Sequence, residues 1–279
     1  MPTLPDTLDE LTARAKRAKQ HIADLDAACQ AFFNTRPYEI TTKFDMEARQ
    51  HTTYVTKVPI IPIRIATIIA DILTNLRGTL DHLAWYIYTI SGRIGRERDI
   101  CFPIAETLAV YESTKKRIVK GWCDEAVAAL DSFKPYKGGN NLLWSLHELY
   151  RLNQHRLLAR LGTTCTAQSA FPSQRDELIK DFLASNPGHP IPETLLGRPI
   201  VAVPVRHILQ SGDVLRAVAT PEFDKHLRFH FDIAFRDPET VQCETVVETM
   251  NEMANLVLAI VLDFSSKGLL DCAFYLAPT

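Results

Sequence analysis

Nothing in this chain is concentrated, and each absence removes a class of function. The six cysteines (Cys29, Cys101, Cys123, Cys165, Cys243, Cys272) are scattered over 279 residues without a Cys-x-x-Cys pair. That argues against a zinc ribbon, and a disulfide scaffold does not suit this length. Formal net charge is -2, so no global field draws the chain to nucleic acid or acidic lipid. Long apolar runs are missing too. The most apolar stretch, Val58 to Leu73, is interrupted by Pro59, Pro62, Arg64 and Asp71, so it cannot span a bilayer as an unbroken apolar helix. The amino terminus lacks the charged-then-apolar pattern of a signal peptide. There is no internal repeat and no low-complexity tract. A cytoplasmic location with no membrane and no cofactor is the expectation.

What is present is an ordinary globular composition, 46% apolar and 23% charged, long enough to bury a full core. Thr7-Leu8-Asp9-Glu10 reads as a capping box. It opens a helix whose stripe is Leu8, Leu11, Ala15, Ala18, Ile22, Leu25, Cys29 and Phe32, spaced as a helix-packing seam. Tyr38 to Phe44 and Gln50 to Val58, separated by Asp45-Met46-Glu47, read as a β-hairpin. Pro62 suits the first turn of a helix striped by Ile65, Ile69, Ile72, Leu76, Leu80, Leu83 and Ile87. Shorter helices are expected over Glu106 to Lys120 and Asp124 to Phe133. Lys137-Gly138-Gly139-Asn140 lacks the ending of a phosphate loop and reads as a turn before a helix cap. Leu142, Leu146, Leu149, Tyr150, Asn153 and Leu157 stripe the helix that follows.

After Gly162 the character changes. Thr163 to Ser169, Pro199 to Val205, Asp213 to Thr220 and His226 to Phe235 read as strands. A closing helix, Glu239 to Ser266, is striped by Val246, Met250, Met253, Val257, Ile260 and Phe264. Without regular βαβ alternation the class is α+β: a helical bundle with long N- and C-terminal helices packed on an antiparallel β-sheet. The expected organisation is a single domain over 1–279, helix-rich through 161, β-rich from 162 to 238 and closed by the helix over 239–266.

Two of these helices carry the same cargo off their core stripes. One bears Arg77, Gly78, Asp81, His82 and Trp85; the other bears Trp144, His147, Glu148, Arg151 and His155. A solvated face rarely holds a Trp in its middle, so both faces are expected to meet something. At about 100° per residue, Trp85 falls opposite Leu76 and His155 opposite Leu146. Gly78 leaves room for another backbone or a ligand. The bland reading is a structural seam, with Arg77–Asp81 and Glu148–Arg151 as ordinary helix pairs. The functional reading rests on imidazoles, which exchange protons near neutral pH. A metal site from Asp81, His82, His147, Glu148 and His155 is a third reading, although the two histidines of the second helix are not spaced as in His-Glu-x-x-His. His226, His230, Arg228 and Asp232 read as a solvated strand face. The basic runs Arg93, Arg96, Arg98 and Lys115, Lys116, Arg117, Lys120 read as solvated surface.

Asn75-Leu76-Arg77…Leu80-Asp81-His82-Leu83-Ala84-Trp85, Phe102-Pro103-Ile104 and Leu146-His147-Glu148-Leu149…His155-Arg156 resemble segments of a family of uncharacterised bacterial and phage-associated proteins. Arg77 and His82 also fit the Arg-x4-His pattern of HEPN domains, helical nucleases of bacterial defence systems. That resemblance implies metal-independent RNA cleavage. His82 would assist 2′-hydroxyl attack or leaving-group protonation, Arg77 would stabilise the phosphate's developing charge, and His155 and Arg151 would support them. Asp81, Trp85, Trp144, His147 and Glu148 would line the binding surface. The implied partner is RNA or a nucleotide, acting on a homodimer. The alternative is a non-catalytic binding or assembly protein whose Trp/His/Arg faces form a packing or oligomer interface, and the third is a metal-dependent hydrolase.

Overall fold

The structure is a computed structural model that describes residues 4–47, 49–91, 100–155, 158–168, 172–186, 204–205, 207–218 and 228–271. Arg93, Arg96, Arg98, Arg156, Leu157, His226 and Cys272 lie outside the described residues, as does most of the strand expected over Pro199 to Val205. His155 lies on a described helix, but its side chain is outside the described set.

The elements in chain order are α1 (Leu4–Asn34), β1 (Glu39–Asp45), β2 (Gln50–Lys57), α2 (Ile63–Ile90), α3 (Leu108–Ile118), α4 (Asp124–Ser132) and α5 (Asn141–His155). Then come β3 (Leu161–Gln168), α6 (Pro172–Ser185), β4 (Pro204–Val205), β5 (Val214–Val218), β6 (Arg228–Phe235), a 3-10 turn (Glu239–Val241) and α7 (Val246–Ser266). The class is α+β, with helices near both termini and strands in two small sheets, ordered β1-β2-β5 and β4-β3-β6. The chain falls into two compact units: Met1–Ala31, Pro62–Leu161 and Phe235–Thr279 make one, Phe32–Ile61 and Gly162–Ala234 the other.

In the helical unit α2 is the central element. All seven residues of its expected stripe are at most 1% exposed. Each such side chain contributes roughly 1.5–3 kcal/mol on leaving water, which outweighs the modest helix propensity of its many isoleucines. α2 packs against α5 and α7, and α5 against α7. α7 buries its six expected residues just as fully. It begins at Val246 rather than Glu239, because Cys243 takes a left-handed φ of 68° and its N–H donates to the Phe235 carbonyl at 2.9 Å. The chain therefore turns before the helix can start.

α1 buries Leu11, Ala15, Ala18, Ile22, Leu25 and Cys29. Its start differs from the capping-box reading, since the helix already runs from Leu4 and includes Pro5, which a first turn tolerates. Thr7 is buried instead of capping. It faces Tyr86, hydroxyl to hydroxyl at 3.4 Å, and Tyr86 donates to the Leu270 carbonyl at 3.2 Å.

α3 is capped by Thr107 and α4 by the Cys123 sulfur. Lys115, expected in a solvated basic run, is buried between them. Its ammonium bonds both oxygens of Asp131, at 2.9 and 3.0 Å, and also Glu112 at 3.0 Å. Burial opposes its charge, but the two carboxylates prevail and hold its pKa above the ordinary value. Buried Tyr111 donates to Asp131 at 2.6 Å.

The β-rich unit contains the expected hairpin. β1 and β2 pair antiparallel with Thr42 opposite Thr53, and β2 pairs antiparallel with β5. Val55, Cys165 and Leu209 form its buried cluster, with Phe229 and Phe231 of β6 packed against it. Burial pushes the Cys165 thiol up to about 12. α6 is a helix where the sequence reads only connection; its apolar residues are few, and Leu183 is exposed.

Candidate functional site

The site grows from one side chain. Arg77 stands about 100° from the centre of the α2 stripe, where the wheel places it beside solvent. The structure buries it to 4% exposure. The buried arc of α2 reaches further round on that side than the stripe suggests and also takes in Ala66, Ala84 and Tyr88. A guanidinium cannot lose its charge, so burial obliges it to find partners. Its Nη2 lies 2.8 Å from Asp81 Oδ1, one helical turn on, and donates to the Phe102 carbonyl at 2.7 Å. Asp81 Oδ1 in turn accepts the Phe102 N–H at 2.9 Å.

One i,i+4 pair thereby satisfies both backbone groups of Phe102, as a neighbouring strand would. Among the described residues no strand pairs with Phe102. Its ring is 1% exposed, and its backbone would be left buried without the pair. Three residues on, the Ala105 N–H donates to the Pro135 carbonyl at 3.0 Å, and the Lys137 N–H donates to the Ala105 carbonyl at 3.2 Å. The segment from Cys101 to Ala105 is thus tied to α2 at one end and to the turn before α5 at the other. Asn140 caps the start of α5, its side chain accepting the Leu143 N–H at 3.0 Å. The segments Asn75-to-Trp85 and Phe102-to-Ile104 meet in this clamp.

Burial pushes the Asp81 carboxyl above its ordinary value, while Arg77 and the Phe102 N–H pull it down. His147 of α5 shares this environment. Burial, followed by the nearby Arg77 charge, drops its imidazole to about 4, so it is neutral at pH 7. His147 Nδ1 and Arg77 Nη1 are both buried without a hydrogen-bond partner. Trp144 lies against His147 with ring centroids 5.8 Å apart. Glu148 and Arg151 form a bidentate pair, at 2.6 and 2.9 Å, on the exposed side. Both nitrogens of the Arg151 fork face the Glu148 carboxylate.

His82 goes elsewhere. Five residues from Arg77, it points about 140° away around the helix and is exposed. Its neighbour there is Arg14 of α1, missed by the sequence reading. A Cβ at Gly78 would lie 2.6 Å from Arg14 Nη1, so the space at Gly78 admits a guanidinium. Burial and then Arg14 lower the His82 pKa. Trp85, 40% exposed, completes this outer face and tilts against Tyr88 at 5.7 Å. The α2 cargo is therefore split. Arg77 and Asp81 turn inward with His147 nearby, while His82 and Trp85 turn outward beside Arg14.

The side chain of His155, one of the five residues of the metal reading, lies outside the described set. Among the described residues no three His, Cys, Asp or Glu side chains gather as an ion requires, and Asp81 and His82 diverge. Nor is any described helix long and apolar enough to cross a membrane. No family model, curated protein or solved structure matches the chain.

Two outcomes follow from the clamp. Arg77→Ala strands the Asp81 carboxylate and the Phe102 carbonyl, and should cost about 3–5 kcal/mol in denaturant unfolding. Arg151→Ala, which removes the more exposed partner of the Glu148–Arg151 pair, should cost less, roughly 1 kcal/mol; equal losses would contradict the assignment. The second outcome concerns pH. His147 has a folded pKa near 4 against an ordinary 6.5, so the unfolded chain protonates first on acidification. Its contribution is complete above pH 6.5 and is lost as pH falls toward 4. His147→Gln should remove on the order of 1–2 kcal/mol of the stability loss between pH 7 and 5, read from thermal melts at each pH. Identical pH profiles for the two proteins would refute this.

Proposed function

We propose that the protein is a non-catalytic binding and assembly protein rather than a nuclease. The observation that supports this reading is the state of Arg77, which is 4% exposed with Nη2 committed to Asp81 and to the Phe102 carbonyl. A transition-state donor must face the phosphate it stabilises, and this one faces a backbone. The separation of Arg77 from His82 weighs the same way. Acid–base catalysis at one phosphate needs both groups within hydrogen-bond reach of it, and these two leave α2 on different sides. The outer α2 face of His82, Trp85 and Arg14 is exposed and open to partner contact.

Under this reading the scattered cysteines and mild net charge suit a cytoplasmic protein whose partners are proteins, not RNA or a nucleotide. The test is RNA cleavage by wild type and His82→Ala with divalent metals chelated. Neither protein should cut above a protein-free control. Cleavage by wild type that His82→Ala abolishes would establish the HEPN-like mechanism instead.

A further inference from the structure

We propose that β1 is a docking edge, and that its occupant is the β1 strand of a second copy of this chain. This edge lies in the β-rich unit and is independent of the outer α2 face. β1 ends its sheet, with β2 on one side and, among the described residues, no strand on the other. All seven of its residues are exposed. Every second N–H and C=O along it points away from β2, the pattern that templates another strand. Edges that avoid pairing are commonly very short, broken by proline, twisted by a bulge or charged; β1 has a register irregularity at Glu39/Ile40 and carries charges of both signs. This one runs Glu39–Asp45 with no proline. Ile40 is 40% exposed and Phe44 49%, and Met46 just beyond is 79% exposed.

Charge selects the occupant. Glu39, Thr41, Lys43 and Asp45 share one face of the strand, and Ile40, Thr42 and Phe44 the other. Two copies paired antiparallel about Thr41 set Glu39 of each opposite Lys43 of its partner. The next register, centred on Thr42, would twice set Glu39 against Asp45, and like charges directly opposite are destabilising. The sequence of β1 is thus complementary to itself in one register. Such a pairing is two-fold and closes at the dimer, leaving neither β1 edge open. Glu39 already bonds Lys57 of its own chain at 3.0 Å, so in the dimer its carboxylate lies between two ammonium groups.

The test is the mass of the full chain in solution, measured across a concentration series for wild type, K43E, E39K and an equimolar mixture of the two variants. Wild type should pass from monomer to dimer mass. Each single variant faces two like-charge pairs and should dimerise at least about tenfold more weakly. The mixture should regain the dimer, because a chain with two carboxylates then meets a chain with two ammonium groups. Since recovery requires both variants to be folded, misfolding cannot imitate it. A wild type that stays monomeric, a dimer that neither variant weakens, or a mixture that stays monomeric would each overturn the proposal.

Discussion

A permanent positive charge buried beside α2 is the constraint on which the helical unit depends. Arg77 cannot deprotonate to escape its surroundings, so the chain must bring partners to it. Asp81 supplies the counter-charge from the same helix, and Phe102 supplies a carbonyl. The arrangement works in both directions, because the backbone of Phe102 also lacks a strand neighbour among the described residues and takes one from the pair. A buried ion pair is rarely the most stabilising way to fill space. Its value here lies in specificity: it fixes one non-regular segment in one position beside α2.

That fixation extends to α5. The held segment reaches the turn before α5 through Ala105 and Pro135, and α5 brings His147 into the neighbourhood of Arg77. The imidazole is kept neutral by the same burial that traps the guanidinium. The polar cargo of the inner faces is therefore an internal polar seam. The outer cargo of His82 and Trp85 stays at the surface.

Much of the architecture is legible from spacing alone. The α2 and α7 stripes are buried as read, and the hairpin turns where Asp45-Met46-Glu47 indicates. Apolar periodicity reports burial directly, so these elements follow from it. The site is less legible, because a helical wheel gives an angle but not the width of the buried arc. Ala84 and Tyr88 widen that arc beyond the stripe, and Arg77 falls inside it. Gly78 signals a close approach without revealing that Arg14 makes it. Phe102 contributes backbone atoms, which leave no trace in residue type. Thr7 has the chemistry of a cap but lies on the inward face of α1, and burial there overrides the cap. The α2 cargo, for which the sequence leaves both a structural seam and a reactive surface open, is tied at Arg77 and Asp81 to the backbone of Phe102.

The most direct measurement of this account is amide hydrogen exchange at Phe102. Held by Asp81, its N–H should exchange slowly in the wild type although it lies in no helix or strand. In Asp81→Ala, which leaves no side-chain acceptor for that N–H, the protection should fall while the α7 core amides stay protected. A Phe102 amide that exchanges at the rate of an open loop in the wild type would contradict the clamp.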